Sequence, residues 1–174
     1  MIGTISSNLF RVLGFVLLQA IVIDHMDLAN GWVTPYFYVL AILLLPFDTP
    51  AWATLLAGFG TGYVMDLFGN TPGLHASACT VLGFARPYVL RLVAPRDGYE
   101  FGRRPTMAHM GVAWFITHGA LLILAHHTWL FYAEVYRFSG FFSTLARMLL
   151  SGVATLALCL LAQAFSTRAR RARA

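Results

Sequence analysis

The chain has 174 residues, 59% of them hydrophobic and only 11% charged, with a mean hydropathy of +0.70. A soluble domain is ordinarily about 25% charged, and one this short leaves much of its surface to be wetted; the composition excludes an ordinary water-exposed globule and points to lipid as solvent for the excess apolar surface. The net charge of +5 comes from twelve basic residues, all arginine, dispersed beside apolar runs rather than gathered into a stripe interleaved with stacking aromatics, which indicates membrane-side charge bias and not nucleic-acid binding.

The apolar run over residues 8–23, with Arg11 near its start, looks like a secretory leader. It lacks a small-x-small cleavage site and ends in Asp24, His25, Met26 and Asp27, so it predicts an uncleaved first membrane span. A polar loop, 24–31, leads to a shorter second span, 32–45. Pro46 ends that span, and Pro-Phe-Asp-Thr-Pro at 46–50 makes a tight turn, because proline breaks helices and restricts its neighbour. The third span covers 51–68, the turn Gly-Asn-Thr-Pro-Gly covers 69–73, and the fourth span covers 75–93. The longest polar stretch, 95–105, predicts a mobile loop. A fifth span, 107–124, an aromatic-rich connection, 126–140, and a sixth span, 141–165, complete the pattern. The expected fold is an all-α membrane protein, a compact bundle of six transmembrane helices. It forms one domain over 1–165, followed by a basic, disordered cytoplasmic tail over 166–174.

With six crossings both termini lie on one side. Placing that side in the cytoplasm gathers Arg168, Arg170, Arg171 and Arg173 of the tail with Arg96, Arg103 and Arg104 of the 95–105 loop. Arg137 then stands outside with Asp24, Asp27 and Glu134, as the positive-inside rule requires. Tyr36, Tyr38, Trp52, Trp129, Phe131 and Tyr132 fall near predicted span ends, where amphipathic rings favour the interface.

Charges inside spans are costly unless paired or wet. Asp66 lies one turn below the outer end of the third span, and Arg86 near the middle of the fourth. Arg147 lies two turns into the sixth, roughly 10 Å deep at about 1.5 Å per residue. Depth matches Asp66 with Arg147 better than with Arg86, leaving two readings: an Asp66–Arg147 contact, or Asp66 capping backbone groups of the turn. Arg86 precedes Pro87, whose missing N–H frees the carbonyl of Gly83; the guanidinium or water is expected to satisfy such groups. Gly58 and Gly62 form a small-xxx-small pattern, running on to Asp66, that lets another helix approach. His109, His118, His126 and His127 fall in or near the fifth span, with His25 and His75 at outer edges. No other span supplies a well-buried histidine to face them, so haem or a metal is not expected. Cys79 and Cys159 sit alone in apolar runs, without the spacing of a zinc site or disulfide framework, and read as small buried hydrophobes. Gly-rich phosphate loops, HExxH and GxSxG are missing, and the acids are too scattered for paired acid–base work. A non-enzymatic role without cofactors is expected.

Gly58-Phe-Gly-Thr-Gly62, Asp66-Leu-Phe-Gly-Asn-Thr-Pro-Gly73, Ala76 and Phe84-Ala-Arg-Pro-Tyr-Val-Leu-Arg91 follow in that order. With Leu18-Gln19 and Pro35-Tyr-Phe-Tyr upstream, they resemble the core of the rod shape-determining protein MreD family over roughly residues 12–94. The resemblance implies a fold similar to the membrane substrate-binding subunits of energy-coupling-factor transporters. It also implies a non-catalytic inner-membrane subunit of the bacterial cell-elongation machinery. Such a subunit sits beside MreC and helps connect the MreB filament to RodA and a class B penicillin-binding transpeptidase. The motif positions carried over are Gly58, Gly62, Asp66, Gly69, Pro72, Gly73, Arg86 and Pro87, none catalytic; Asn70, with Pro72, Gly73, Arg86, Pro87 and Arg147, is expected to be structural, and the Gly58–Gly62–Asp66 stripe is the expected docking face for MreC. The alternative is a vitamin-type binding subunit of a transporter, in which Asp66, Asn70, His75 and Arg147 would converge on a polar pocket near the outer face.

Overall fold

The helices begin and end where the local chemistry asks. The computed structural model describes residues 2–26, 28–100, 102–135 and 140–171, with side chains from residue 10 to residue 168. Its helices are α1 (Ile2–Ile21), α2 (Val39–Leu43), α3 (Ala51–Gly69), α4 (Leu74–Leu92), α5 (Met107–Met110), α6 (Val112–Val135) and α7 (Phe141–Arg171), with a 3-10 turn at Ile23–His25. The described residues form no strand, only an isolated bridge between Leu28 and Val33. Pro50, extended at φ −65° and ψ 151°, starts α3, as a residue without an N–H can. Asn70 ends α3 in the left-handed region, and Gly73 at φ 82° opens α4. Both are residue types that tolerate positive φ.

The α3–α4 hairpin is held by backbone contact. A Cβ on Gly58 would strike the carbonyl of Cys79, one on Gly62 that of His75, and one on Gly83 would sit 2.9 Å from the carbonyl of Thr54. The contacts step four residues along each antiparallel helix, so the glycine stripe is a seam within the chain. The docking face expected there for a partner helix is filled by α4. Gly60, by contrast, has nothing within 4 Å of where its Cβ would stand.

The second span is not a continuous helix. Residues 32–38 are non-helical and only Val39–Leu43 is α-helical. Pro35 has no N–H and biases Thr34 away from the helical region, and partners elsewhere take up the freed backbone groups. Six regular spanning helices are therefore not what the chain builds. The fifth span also differs: Gly111 at φ 85° separates α5 from α6, and α6 runs through most of the stretch read as a connection. No proline or glycine interrupts residues 120–135, and of the polar side chains there His126 and His127 are buried while Thr128 and Glu134 are exposed. The tail is helical through Arg171, since Ala and Arg are strong helix formers; residues 172–174, including Arg173, lie outside the described residues. So do Asp27 and Arg137, and the side chains of Arg170 and Arg171. The 95–105 loop is tied down: Tyr99 stacks on Phe47 at 4.2 Å and donates to the carbonyl of Leu90 at 2.7 Å, while Arg103 pairs with Glu100 at 2.6 Å.

Among the described residues one helix, Phe141–Arg168, is long and apolar enough to cross a membrane, with 28 residues and a mean hydropathy of 2.0. Only 22% of its apolar stretch is buried, unlike a core helix of a soluble protein. Glycine, threonine, serine and histidine dilute the hydropathy of α3, α4 and α6. Yet these helices also turn large apolar side chains outward: Trp52, Leu56 and Leu67 are 66%, 63% and 66% exposed, and Leu92 is 75% exposed. Scattered apolar residues on a surface are ordinary, whereas continuous stripes of them mark a lipid or partner boundary.

Two substitutions separate the seam from the outer face. Gly62→Val forces α3 from α4 and is expected to cost about 1–3 kcal/mol or more, while Gly60→Ala gains helix propensity of up to about 1 kcal/mol. Thermal unfolding in detergent should show the two midpoints moving in opposite directions.

Candidate functional site

The non-helical segment 32–38 enters the centre of the bundle, where Tyr36, Phe37 and Tyr38 are buried; the tyrosines expected at an interface are core residues. A buried backbone N–H needs a partner, and here side chains from both ends of the chain supply it. Thr34 donates to Ser151 Oγ at 3.0 Å, Tyr36 to Thr155 Oγ1 at 2.9 Å, and Phe37 to Gln19 Oε1 at 2.6 Å. Gln19 Nε2 returns bonds to Asp24 Oδ1 at 2.6 Å and to the Pro35 carbonyl at 2.9 Å.

A polar chain continues from Thr155. His127 Nε2 lies 3.1 Å from Thr155 Oγ1, His127 Nδ1 lies 3.3 Å from His126 Nδ1, and His126 Nε2 lies 3.1 Å from the Tyr38 hydroxyl. Cys79 Sγ stands 3.8 Å from the same His126 nitrogen. One set of neutral tautomers satisfies the whole chain. Tyr38 donates to His126 Nε2, His126 Nδ1–H to His127 Nδ1, His127 Nε2–H to Thr155, and Thr155 to the Ser151 carbonyl at 2.8 Å. Tyr36 packs edge-on against His75, His126 and His127, with centroids 5.8, 6.0 and 5.4 Å away. Chemically this is a continuous row of exchangeable protons whose imidazoles are each spent on orienting a neighbour. Among the described residues no three His, Cys, Asp or Glu side chains converge on a point that could hold a metal ion.

Asp66 closes the nearby turn. Its Oδ1 accepts from Thr71 Oγ1 and the His75 N–H, each at 2.9 Å, and its Oδ2 accepts from the Ala76 N–H at 2.9 Å. The His75 ring nitrogen Nδ1 lies 3.1 Å from Oδ1. A carboxylate on the first free N–H groups of α4 meets the positive end of the helix dipole. Of the two readings for Asp66, capping holds and the pairing with Arg147 does not: Arg147 lies 5.5 Å above the Phe131 ring, and the carboxylate is occupied by the turn. Asn70, Pro72 and Gly73 shape the loop that Asp66 closes.

Arg86 does the converse at the opposite end of α4. Its Nη2 donates to the carbonyls of Leu45 and Pro46, the second at 3.2 Å, rather than to the carbonyl of Gly83, and α4 runs on through Pro87. Nε of Arg86 and both ring nitrogens of His118 are buried without a hydrogen-bond partner; the His118 ring stacks on Trp114 at 4.7 Å.

The structure therefore unites Gly58, Gly62, Asp66, Asn70, Pro72 and Gly73 in one hairpin, places Arg86 at its far end, and leaves Arg147 apart. Sequence reasoning missed Gln19, Tyr38, His75, His126, His127, Ser151 and Thr155 as members of one network. It placed His75 at the outer edge of its span, where it does lie in the first turn of α4, but not as a buried residue that faces the same tyrosine rings as the α6 histidines. A legible signal existed in Ser151 and Thr155, two hydroxyls four apart on one face of an apolar helix.

Gln19→Leu strands the Phe37 N–H and the Pro35 carbonyl in a buried site and is expected to cost about 1–3 kcal/mol. Arg147→Gln loses the contact with the Phe131 ring but no ion pair with Asp66 and should cost only about 0.5–1 kcal/mol. Detergent-denaturation midpoints of the two variants check both values.

No family model matches the chain, and neither a curated protein nor a solved structure does.

Proposed function

We propose that this chain is a multi-pass bacterial inner-membrane protein of the MreD type. Its role is that of a non-catalytic subunit of the cell-elongation complex that binds MreC and helps position peptidoglycan synthesis. The observation that carries this reading is the α3–α4 hairpin, in which the glycines of the motif supply the helix seam and its Asp66 closes the turn. The outward apolar stripes of α3, α4 and α7 supply the surface that a bilayer or membrane partner would cover.

In this reading the chain crosses six times, five times by α1, α3, α4, α6 and α7 and once by the partly unwound 32–45 segment. Irregular backbone is tolerated at membrane depth where it is buried in protein, as it is between Gln19, Ser151 and Thr155. Both termini, the 93–106 connection and the arginines Arg96, Arg103, Arg104 and Arg168 then share the cytoplasmic side. Contact with MreC falls on a surface other than the Gly58–Gly62 seam. The transporter-subunit alternative needs Asp66 and Arg147 to converge on a ligand. With Asp66 committed to the turn and Arg147 on Phe131, the scaffold reading is the better supported.

A pull-down of the tagged protein from its native membranes, followed by mass spectrometry, is expected to recover MreC with cell-wall synthesis proteins. Recovery of a pair of ATPases and a coupling membrane subunit would overturn the assignment. Reporter fusions after Arg171 and within the 95–105 loop should both report the cytoplasm; opposite sides would refute the crossing count.

A further inference from the structure

Where the 93–106 connection meets α7, a cavity of about 250 Å³ opens between α1, the end of the 32–45 segment, residues 104–108 and α7. A water's share of liquid volume is about 30 Å³, so the space holds a group much larger than one water. Its lining divides by chemistry. Phe15, Leu40 and Leu44 form an apolar part, with the two leucines buried. Arg11 and Arg104, both half-buried, form a cationic part. The ion pairs among the described residues are Asp66–His75 and Glu100–Arg103, so neither arginine of the cavity pairs with a carboxylate among them. Thr106 also lines it, and its Oγ1 is buried without a hydrogen-bond partner. Arg168 borders the adjoining cavity.

Cations gathered beside a low-dielectric wall repel one another unless an anion joins them. Guanidinium forks match the oxygens of a phosphate, and an orphan hydroxyl supplies one more donor. The apolar half of the lining would be wasted on a small hydrated ion but suits a hydrocarbon chain. We propose that this cavity binds an anionic membrane lipid, its phosphate held by Arg11 and Arg104 and the start of its acyl chain laid over Phe15 and Leu44. The inference rests on the membrane reading above, though not on the cell-elongation assignment.

The test uses the full chain, extracted from membranes into neutral detergent and exposed to equal amounts of phosphatidylglycerol and phosphatidylcholine. Native mass spectrometry then counts the retained lipids. Arginines near a membrane surface each favour anionic lipid severalfold, so the chain is expected to prefer phosphatidylglycerol by roughly tenfold or more. The double variant Arg11→Gln, Arg104→Gln should lose that preference, and Arg96→Gln, in the loop, should keep it. If the double variant does not accumulate, Arg104→Gln alone, on a connection outside the helices, carries the same comparison and should lower the preference severalfold. Equal retention of both lipids, or a preference unchanged in the variants, overturns the proposal. Stabilisation by inorganic phosphate without lipid enrichment assigns the site to a soluble anion and also overturns it. Recovery of the protein from the soluble fraction fails the membrane reading itself, whereas membrane recovery without lipid preference fails this cavity alone.

Discussion

The rest of the structure depends on how four consecutive residues, 34–37, satisfy their backbone away from water. They cannot do so within a helix, because Pro35 interrupts it, nor in a sheet, because the described residues form none. Three polar side chains supply the missing partners: Gln19 from α1, and Ser151 and Thr155 from α7. The first and last long helices are thereby fastened to the same short segment. The requirement also explains the polar residues placed deep in apolar helices. Thr155 needs its remaining capacity filled, His127 fills it, and the chain of partners runs on to Tyr38.

The two buried charges of the α3–α4 hairpin obey the same constraint. Neither Asp66 nor Arg86 meets an opposite formal charge from a distant helix. Asp66 takes the free N–H groups at the start of α4, and Arg86 takes the Leu45 carbonyl where the 32–45 segment ends and shares that of Pro46 with Thr49. Each ion is matched to the backbone groups of opposite polarity that irregular or terminal structure leaves open. Charge in this interior is thus used to finish backbone that regular helices cannot finish for themselves.

How much of this was legible follows from which signals are local. The bounds of α3 and α4 come from Pro50 and from the turn at 69–73, and they fall within one residue of expectation because proline and left-handed residues act where they stand. The segment 32–45 deceived because hydropathy counts apolar side chains without asking which N–H groups have partners. Residues 126–135 deceived in the opposite sense: His126, His127, Thr128 and Glu134 read as a connection, yet nothing there breaks a helix and both histidines face the interior. Arg147 shows the limit of matching by depth alone, since equal depth says nothing about which way a side chain faces. The glycine stripe was visible, but which helix fills it was not, because sequence spacing cannot tell a neighbour in the same chain from one in another.

The bonds that hold the 32–38 segment also impose an order in time. The acceptors for Thr34 and Tyr36 lie 117 and 119 residues further along the chain, in α7, which leaves the ribosome long after them. The α3–α4 hairpin closes on its own residues and can mature early. The segment before it stays half-satisfied for most of translation, its tyrosines waiting for the histidines of α6 and the hydroxyls of α7. A nascent chain that stalls before α7 exposes that unfinished backbone, which makes α7 the element that completes the hydrogen bonding of a segment made more than a hundred residues earlier.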